Sequence, residues 1–314
     1  MYEIFLSVNK NAAVRTNEFE SGSWIAMTAP TQEELALVSL KCNIAIDDLK
    51  AALDDEERSR IQVEDDYTLI LVDIPVIEER NGKDWYGTIP LGVIISEAQI
   101  ITVCLQPTPV LTVFMEGRVK EFYTYKKTRF ILQIFYRNAT LFLNYLRNID
   151  RRSVAIEQKL HKATKNKELL ELQELEKSLV FFTTSLKSNE LVFEKMFRIE
   201  KIKKYPEDED LLEDVIIENK QAIEMANIYS GILSSTMGTF ASIISNNLNV
   251  SMKFLATVTI VLSIPTMVAS FYGMNVSSVG MPFANCDYGF PIVIGFSILL
   301  SIIVSIIFWK KDLF

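Results

Sequence analysis

Histidine is almost missing from this sequence: His161 is the only one in 314 residues. It stands in a charged stretch without a nucleophile–base arrangement or metal-ligand spacing, so it reads as an exposed helix residue, and no enzyme is expected. Cysteine is scarce as well. Cys42, Cys104 and Cys286 have no metal-ligand spacing and build no disulfide framework. Neither GxxxxGK nor GxGxxG occurs, which removes the nucleotide-driven pumps. No Lys/Arg-rich stripe is present, and 32 basic residues face 40 acidic ones for a net charge of −8. Such a surface repels nucleic acid and anionic lipid and attracts metal cations, so no nucleic-acid partner is expected. Residues 1–5 show neither a basic region nor a long apolar run, so no signal peptide is expected.

Charge is nearly absent from the C-terminal quarter. After Met252 only Lys253, Asp287, Lys310, Lys311 and Asp312 carry it. Two uncharged runs, 254–272 and 290–309, are 19 and 20 residues long. Each is long enough to cross a hydrocarbon core of about 30 Å as a helix. Segment 273–289 between them has no Lys or Arg, whereas Lys253 precedes the first run and Lys310 with Lys311 follow the second. The positive-inside rule then puts both chain ends in the cytoplasm and the short loop outside. Trp309 falls where an interfacial aromatic belongs. Membrane lipid is therefore an expected partner.

Upstream, residues 1–109 read as an α/β domain. Strand-like runs cover 4–8, 24–28, 67–76, 88–95 and 100–103, and Thr31-Gln32-Glu33-Glu34 is a capping box that opens a helix through Leu40. Residues 110–210 read as a helical hairpin. Leu172, Leu175, Leu179, Phe182, Leu186, Phe193 and Met196 form a heptad seam interrupted by Asn189, and 163–166 supply the turn. Tyr205-Pro206 followed by acids is a helix start. From there an apolar stripe through Leu212, Ile216, Ile223, Ala226 and Leu233 runs into the first span. One helix over 211–272 would be about 93 Å long at a rise of 1.5 Å per residue. Such a helix needs the hairpin, neighbouring subunits, or both to cover its stripe.

Within that helix the polar residues keep one spacing. Asn249, Met252, Ala256, Thr259, Ser263, Thr266, Ser270 and Gly273 recur at alternating steps of three and four, on one face. They would suit the wall of a water-filled path. Helix–helix packing gathers the same residue types, and spacing alone leaves both readings open. Thr257 departs from the stripe. In the second span Ser297, Ser301 and Ser305 are better explained by packing against the first. Pro265 leaves the Val261 carbonyl without its helical donor, which neighbouring hydroxyls or a hydrated pore could replace.

Directly after the first span stands Tyr272-Gly273-Met274-Asn275. Placed there, and followed by a short loop, one more span and a basic end, this sequence resembles the CorA metal-ion transporter family. Asn246-Asn247-Leu248-Asn249 and Ile264-Pro265-Thr266 are similar to that family's pore helix. The close resemblance covers about 214–314 and rests on architecture upstream.

The resemblance implies a homopentameric channel for divalent cations in the cell (inner) membrane, a multi-pass protein with both termini cytoplasmic. The implied fold is an α+β cytoplasmic domain (1–109), a helical hairpin of the funnel (110–210) and a stalk helix (211–272) continuing into the first transmembrane helix (254–272). An external loop (273–289), a second transmembrane helix (290–309) and a cytoplasmic tail (310–314) follow. Gly273, Met274 and Asn275 match the selectivity filter, with the Asn275 amide facing the ion. Asn249, Met252 and Thr266 match pore-lining positions, which favours the pore reading for the stripe that also holds Ala256, Thr259, Ser263 and Ser270. Magnesium (Mg2+) is the implied cargo and regulator, with Co2+, Ni2+ or Zn2+ as further candidates.

Two departures stand out. Many relatives carry an acidic MPE-type motif in the outer loop, where this chain has Met281-Pro282-Phe283. An acidic ring near the inner mouth of the stalk falls here at Gly238. Among the acidic clusters, each ordinarily a solvated surface, Asp214 matches a family carboxylate that binds a regulatory cation between subunits. Glu78 or Glu79 matches its partner more loosely. The alternative within transport is a zinc transporter of the same fold, with or without proton coupling. The alternative from another class is a pore-less, membrane-anchored coiled-coil scaffold.

Overall fold

The computed structural model describes residues 1–9, 12–80, 82–160, 167–196, 198–199, 202, 205–275, 280–283 and 286–311. His161 and the expected turn at 163–166 lie outside them. Two compact units are present, Met1–Met237 and Gly238–Phe314.

The first unit is built on a seven-stranded sheet with the order β2-β1-β3-β7-β6-β5-β4. The strands are β1 (Tyr2–Asn9), β2 (Ala12–Thr16), β3 (Trp24–Thr28), β4 (Arg60–Val63), β5 (Tyr67–Arg80), β6 (Lys83–Ser96) and β7 (Ile100–Cys104). Among the described residues only β3 and β7 pair in parallel. They are apolar almost throughout and lie at the centre, buried on both faces. β5 and β6 form a 14-residue hairpin that runs from Tyr67↔Ser96 to Arg80↔Lys83. Both strands extend beyond the expected 67–76 and 88–95, because the mixed residues of the distal arm pair as regularly as the apolar ones. β2 and β4 are short edge strands that alternate too weakly to be read from sequence.

Helices cover both faces. On one side α1 (Gln32–Cys42) and α2 (Ile46–Ala51) pack through Leu35, Val38 and Leu49. The capping box is present: the Glu34 N–H donates to Thr31 Oγ1 at 3.2 Å and the Thr31 N–H to Glu34 Oε2 at 2.8 Å. The other side carries α3 (Pro109–Met115), α4 (Lys127–Leu160) and α5 (Lys167–Met196). Its core centres on Trp24, whose ring lies 5.0 Å from both Phe5 and Phe130 and whose Nε1–H donates to Thr102 Oγ1 at 2.9 Å. Within the segment expected as a helical hairpin, α3 and α4 are separated by a non-helical stretch over 116–126. Gly117 (φ 65°) and Glu121 (φ 53°) turn the chain, and Phe122 drops into the Trp24 cluster before α4 begins.

The expected seam of α5 is buried from Leu172 to Met196, Asn189 included. Helix α6 (Glu209–Tyr272) is 64 residues long and follows a single 3-10 turn, Pro206–Asp208. Its buried line runs through Val215, Asn219, Ala222, Ala226 and Leu233, with Leu212, Ile216 and Ile223 of the apolar stripe half-buried beside it and Ile217, Ile228 and Ile232 exposed. One acid expected at the surface is not there. Asp208 is 5% exposed and pairs with Arg129 of α4 at 3.1 Å.

The second unit holds the outer half of α6 and α7 (Gly289–Lys310). Both helices are long and apolar enough to cross a membrane, with mean hydropathies of 1.9 and 2.7 over their most apolar windows.

Candidate functional site

In the outer half of α6, Thr257 is buried, while Val258, Val261, Ile264, Pro265 and Val268 are half-buried. On α7 the covered positions are Val293, Ser297, Ser301, Val304, Ser305 and Phe308. These are the faces the two spans turn toward each other. Val268 and Phe271 of α6 line one apolar cavity of about 370 Å³ with Ile292, Val293 and Phe296 of α7. Thr257, which departed from the polar stripe, belongs to this packed face.

Asn249, Met252, Ala256, Thr259, Ser263, Thr266, Ser270 and Gly273 are all exposed in the single chain. At about 100° per residue their mean direction lies roughly opposite the packed face. The stripe is thus left over once the chain has packed on itself. Three of its hydroxyls are turned inward: Thr259 Oγ1 donates to the Leu255 carbonyl at 2.8 Å, Ser263 Oγ to that of Ile260 at 2.8 Å, and Thr266 Oγ1 to that of Leu262 at 3.3 Å. Each donor hydrogen is used by the helix, so the oxygen lone pairs face outward. Ser263 and Thr266 therefore do not supply the Val261 carbonyl, which leaves the hydrated path among the expected sources.

The helix closes with the Gly273 N–H donating to the Ala269 carbonyl at 2.9 Å. A Cβ at Gly273 would stand 3.3 Å from that oxygen. Met274 and Asn275 follow, exposed. The last carbonyls of α6 lack helical donors and form the negative end of its dipole, equivalent to about half an elementary charge beside Asn275. Residue-type patterns gave no hint of this cation-attracting group.

The regulatory candidates are placed differently. Asp214 and Glu79 are exposed. Glu78 Oε2 accepts from Arg80 Nη2 at 2.8 Å and Nε at 3.1 Å. The Arg80 guanidinium lies 3.6 Å over the Trp85 ring, which in turn packs against Phe181. Among the described residues no three His, Cys, Asp or Glu side chains gather within one chain. Burial pushes the Cys42 and Cys104 thiols up to about 11, which leaves them protonated and unreactive near neutrality.

A family model for the CorA-like Mg2+ transporter protein matches residues 19–311. The cobalt/magnesium transport protein CorA of Methanocaldococcus jannaschii is 27% identical over 297 residues, covering 92% of this chain and 90% of that protein. The complete structure of the CorA magnesium transporter from Methanocaldococcus jannaschii superposes with a TM-score of 0.84 at 25% identity, covering 99% of this chain and 98% of that one. The full-length CmaX protein shares the fold at 15% identity, with a TM-score of 0.71 over 97% of this chain and 95% of that one.

Proposed function

The chain belongs to the family of CorA-like Mg2+ transporter proteins, and on that premise we propose that five copies surround a central path lined by the α6 stripe and conduct magnesium, with cobalt and nickel as further cargo. It is a divalent-cation transporter and not an enzyme. The observation that carries the pore reading is the position of the stripe: exposed, opposite the face that packs on α7, and ending at Asn275.

The chemistry supports magnesium. Mg2+ is small and sheds its waters reluctantly. Waters around a cation turn their hydrogens outward, so a passage for the hydrated ion needs acceptors. The hydroxyl oxygens of Thr259, Ser263 and Thr266 offer lone pairs, and Asn275 offers an amide oxygen. Neutral acceptors hold the hydrated ion without the tight binding of a carboxylate ring, which would slow its exit. With only Asp287 to supply negative charge among the outer residues, recruitment falls to the carbonyl end of α6 and the membrane potential.

In this reading the protein sits in the cell membrane with 273–289 outside and both ends in the cytoplasm, as Lys253, Lys310 and Lys311 favour. Cytoplasmic magnesium gates it through Asp214 of one copy and an acid at Glu78 or Glu79 of the next. The test is flux of Mg2+, Co2+, Ni2+ and Zn2+ into liposomes, with and without a proton gradient, for the wild type and Asn275→Ala. Magnesium flux that the substitution abolishes, with assembly intact, is expected. Proton-driven zinc flux without magnesium flux would replace this reading with the zinc transporter. No flux at all would leave the scaffold.

A further inference from the structure

The segment that returns toward α7 is fastened to the outer ends of both spans. Tyr272, the last residue of α6, donates its hydroxyl hydrogen to the Pro282 carbonyl at 2.8 Å. The next residue, Phe283, has φ 60°, a left-handed backbone that a bulky side chain keeps only where its surroundings hold it. Its carbonyl accepts from the Cys286 N–H at 3.2 Å. A Cβ at Gly289 would stand 2.3 Å from the same oxygen, so only glycine lets α7 begin so close. Phe283 also lines the cavity between the spans, with Val268 and Phe271 on one side and Ile292 and Val293 on the other. An aromatic ring thus stands at the position where an MPE-type motif has its acid.

We propose that Tyr272 and Phe283 are positioning residues for the filter, holding residues 280–283 against the ends of both spans and so fixing where the Asn275 amide stands. Tyr272 is covalently next to Gly273, and its hydroxyl is spent on the loop. Any rotation of the last turn of α6 must therefore drag residues 280–283 along, and Phe283, 54% exposed in the single chain, resists that through its left-handed backbone and the part of its ring that lines the cavity. The anchor replaces charge with geometry: this chain gives up an acid that could recruit cations and gains a tether at residues 282–283. This inference rests on the filter reading of Gly273, Met274 and Asn275.

The experiment uses the full chain in liposomes and compares Mg2+ and Ca2+ flux for the wild type, Tyr272→Phe, Phe283→Ala, Phe283→Tyr and Asn275→Ala, with oligomer size checked for each. A loosened filter discriminates ion size less well. Tyr272→Phe and Phe283→Ala are expected to raise Ca2+ flux relative to Mg2+ about fivefold, the factor that one lost hydrogen bond or its packing equivalent carries. Phe283→Tyr, which keeps the ring, should retain wild-type discrimination. Should Phe283→Ala fail to assemble, Tyr272→Phe carries the test, since it removes a single oxygen. If Asn275→Ala abolishes flux while Tyr272→Phe discriminates as the wild type does, the anchor is overturned and the filter stands. If Asn275→Ala conducts normally, both fall.

Discussion

The side-chain amide of Asn189 on α5 bonds both backbone groups of Asp73 on β5: Oδ1 accepts from the N–H and Nδ2 donates to the carbonyl, each at 2.8 Å. The neighbouring strand explains why. β4 begins only at Arg60, opposite Leu71, so the outer edge of β5 at Asp73 has no strand beside it. Asn189 stands in for the missing peptide group. Asn138 of α4 adds a second donor to the same carbonyl at 2.8 Å, and Ser59 Oγ donates to Asn189 Oδ1 at 3.1 Å. The arrangement ties both helices of the hairpin to the sheet and closes an edge open to unwanted pairing.

Replacing Asn189 by leucine should therefore destabilise the chain although it completes the apolar seam. The Asp73 carbonyl keeps Asn138, but its N–H is left buried without a partner, at a cost of about 1 to 3 kcal/mol. Denaturant unfolding of the detergent-solubilised protein measures this. A loss within error of zero would show that water reaches the edge.

The Asp73 carboxyl is itself held above the ordinary value of 3.8, by burial first, with Ser185 and Ser59 pulling it partly back. A carboxyl raised on folding binds more protons in the native state. Stability then falls as pH rises from about 3.8 to the raised native value, and the cost persists above it. Asp73→Asn keeps the backbone contacts and removes the charge, so its unfolding midpoint should decline less over that window than the wild type's. Parallel pH profiles would show that the carboxyl is solvated.

Legibility differed by what each feature depends on. The spans, the capping box and the α5 seam rest on composition or local period, and periodicity reports which face is buried. It does not report the partner. Asn189 looked like a flaw in the seam because its reason lies 116 residues away, at an edge that exists only because β4 is short. Asp208 sat in an acidic run, and only the fold brings Arg129 to it. The distal arms of β5 and β6 were missed because the hairpin register, not apolar alternation, sustains them. The polar stripe of α6 was fully legible, yet its separation from the packed face needed the burial of Thr257 and Ser297.

That separation predicts a labelling pattern. In a background without Cys42, Cys104 and Cys286, single cysteines at Thr259, Ser263 and Thr266 should react with water-soluble thiol reagents. Those at Thr257 and Val261, packed toward α7, and at Ile260 and Leu262, on apolar exposed faces, should not. Protection of all seven sites would mean that the stripe is buried between subunits rather than wet.

Asp214 and Glu79 are the exposed acids on which gating by cytoplasmic magnesium would rest, and Glu78 is the less suited of the two neighbouring acids. The Glu78 carboxylate is already matched by Arg80, whose guanidinium is held over Trp85. A divalent ion would have to displace that built-in cation, whereas no ion pair among the described residues engages Glu79. Between copies, like charges 4 Å apart repel by about 1 kcal/mol in bulk water and about 4 kcal/mol at the effective dielectric of a protein surface. In the proposed gating a bound Mg2+ would cancel the repulsion and favour the closed arrangement. Its loss would let the subunits separate around α6, the helix that carries Asp214 as well as Asn249 and Met252. The ion shifts this equilibrium only by its differential affinity for the closed state. Asp214→Asn and Glu79→Gln should each move the internal magnesium concentration at half-closure about fivefold or more, the factor that about 1 kcal/mol carries. Glu78→Gln should move it less. Protease resistance titrated with Mg2+ should follow the same order, because it reads the closed state without requiring flux. If Glu78→Gln has the largest effect, Arg80 is displaced and Glu78 is the ligand. If all three variants follow magnesium as the wild type does, these acids are solvated surface and gating lies elsewhere.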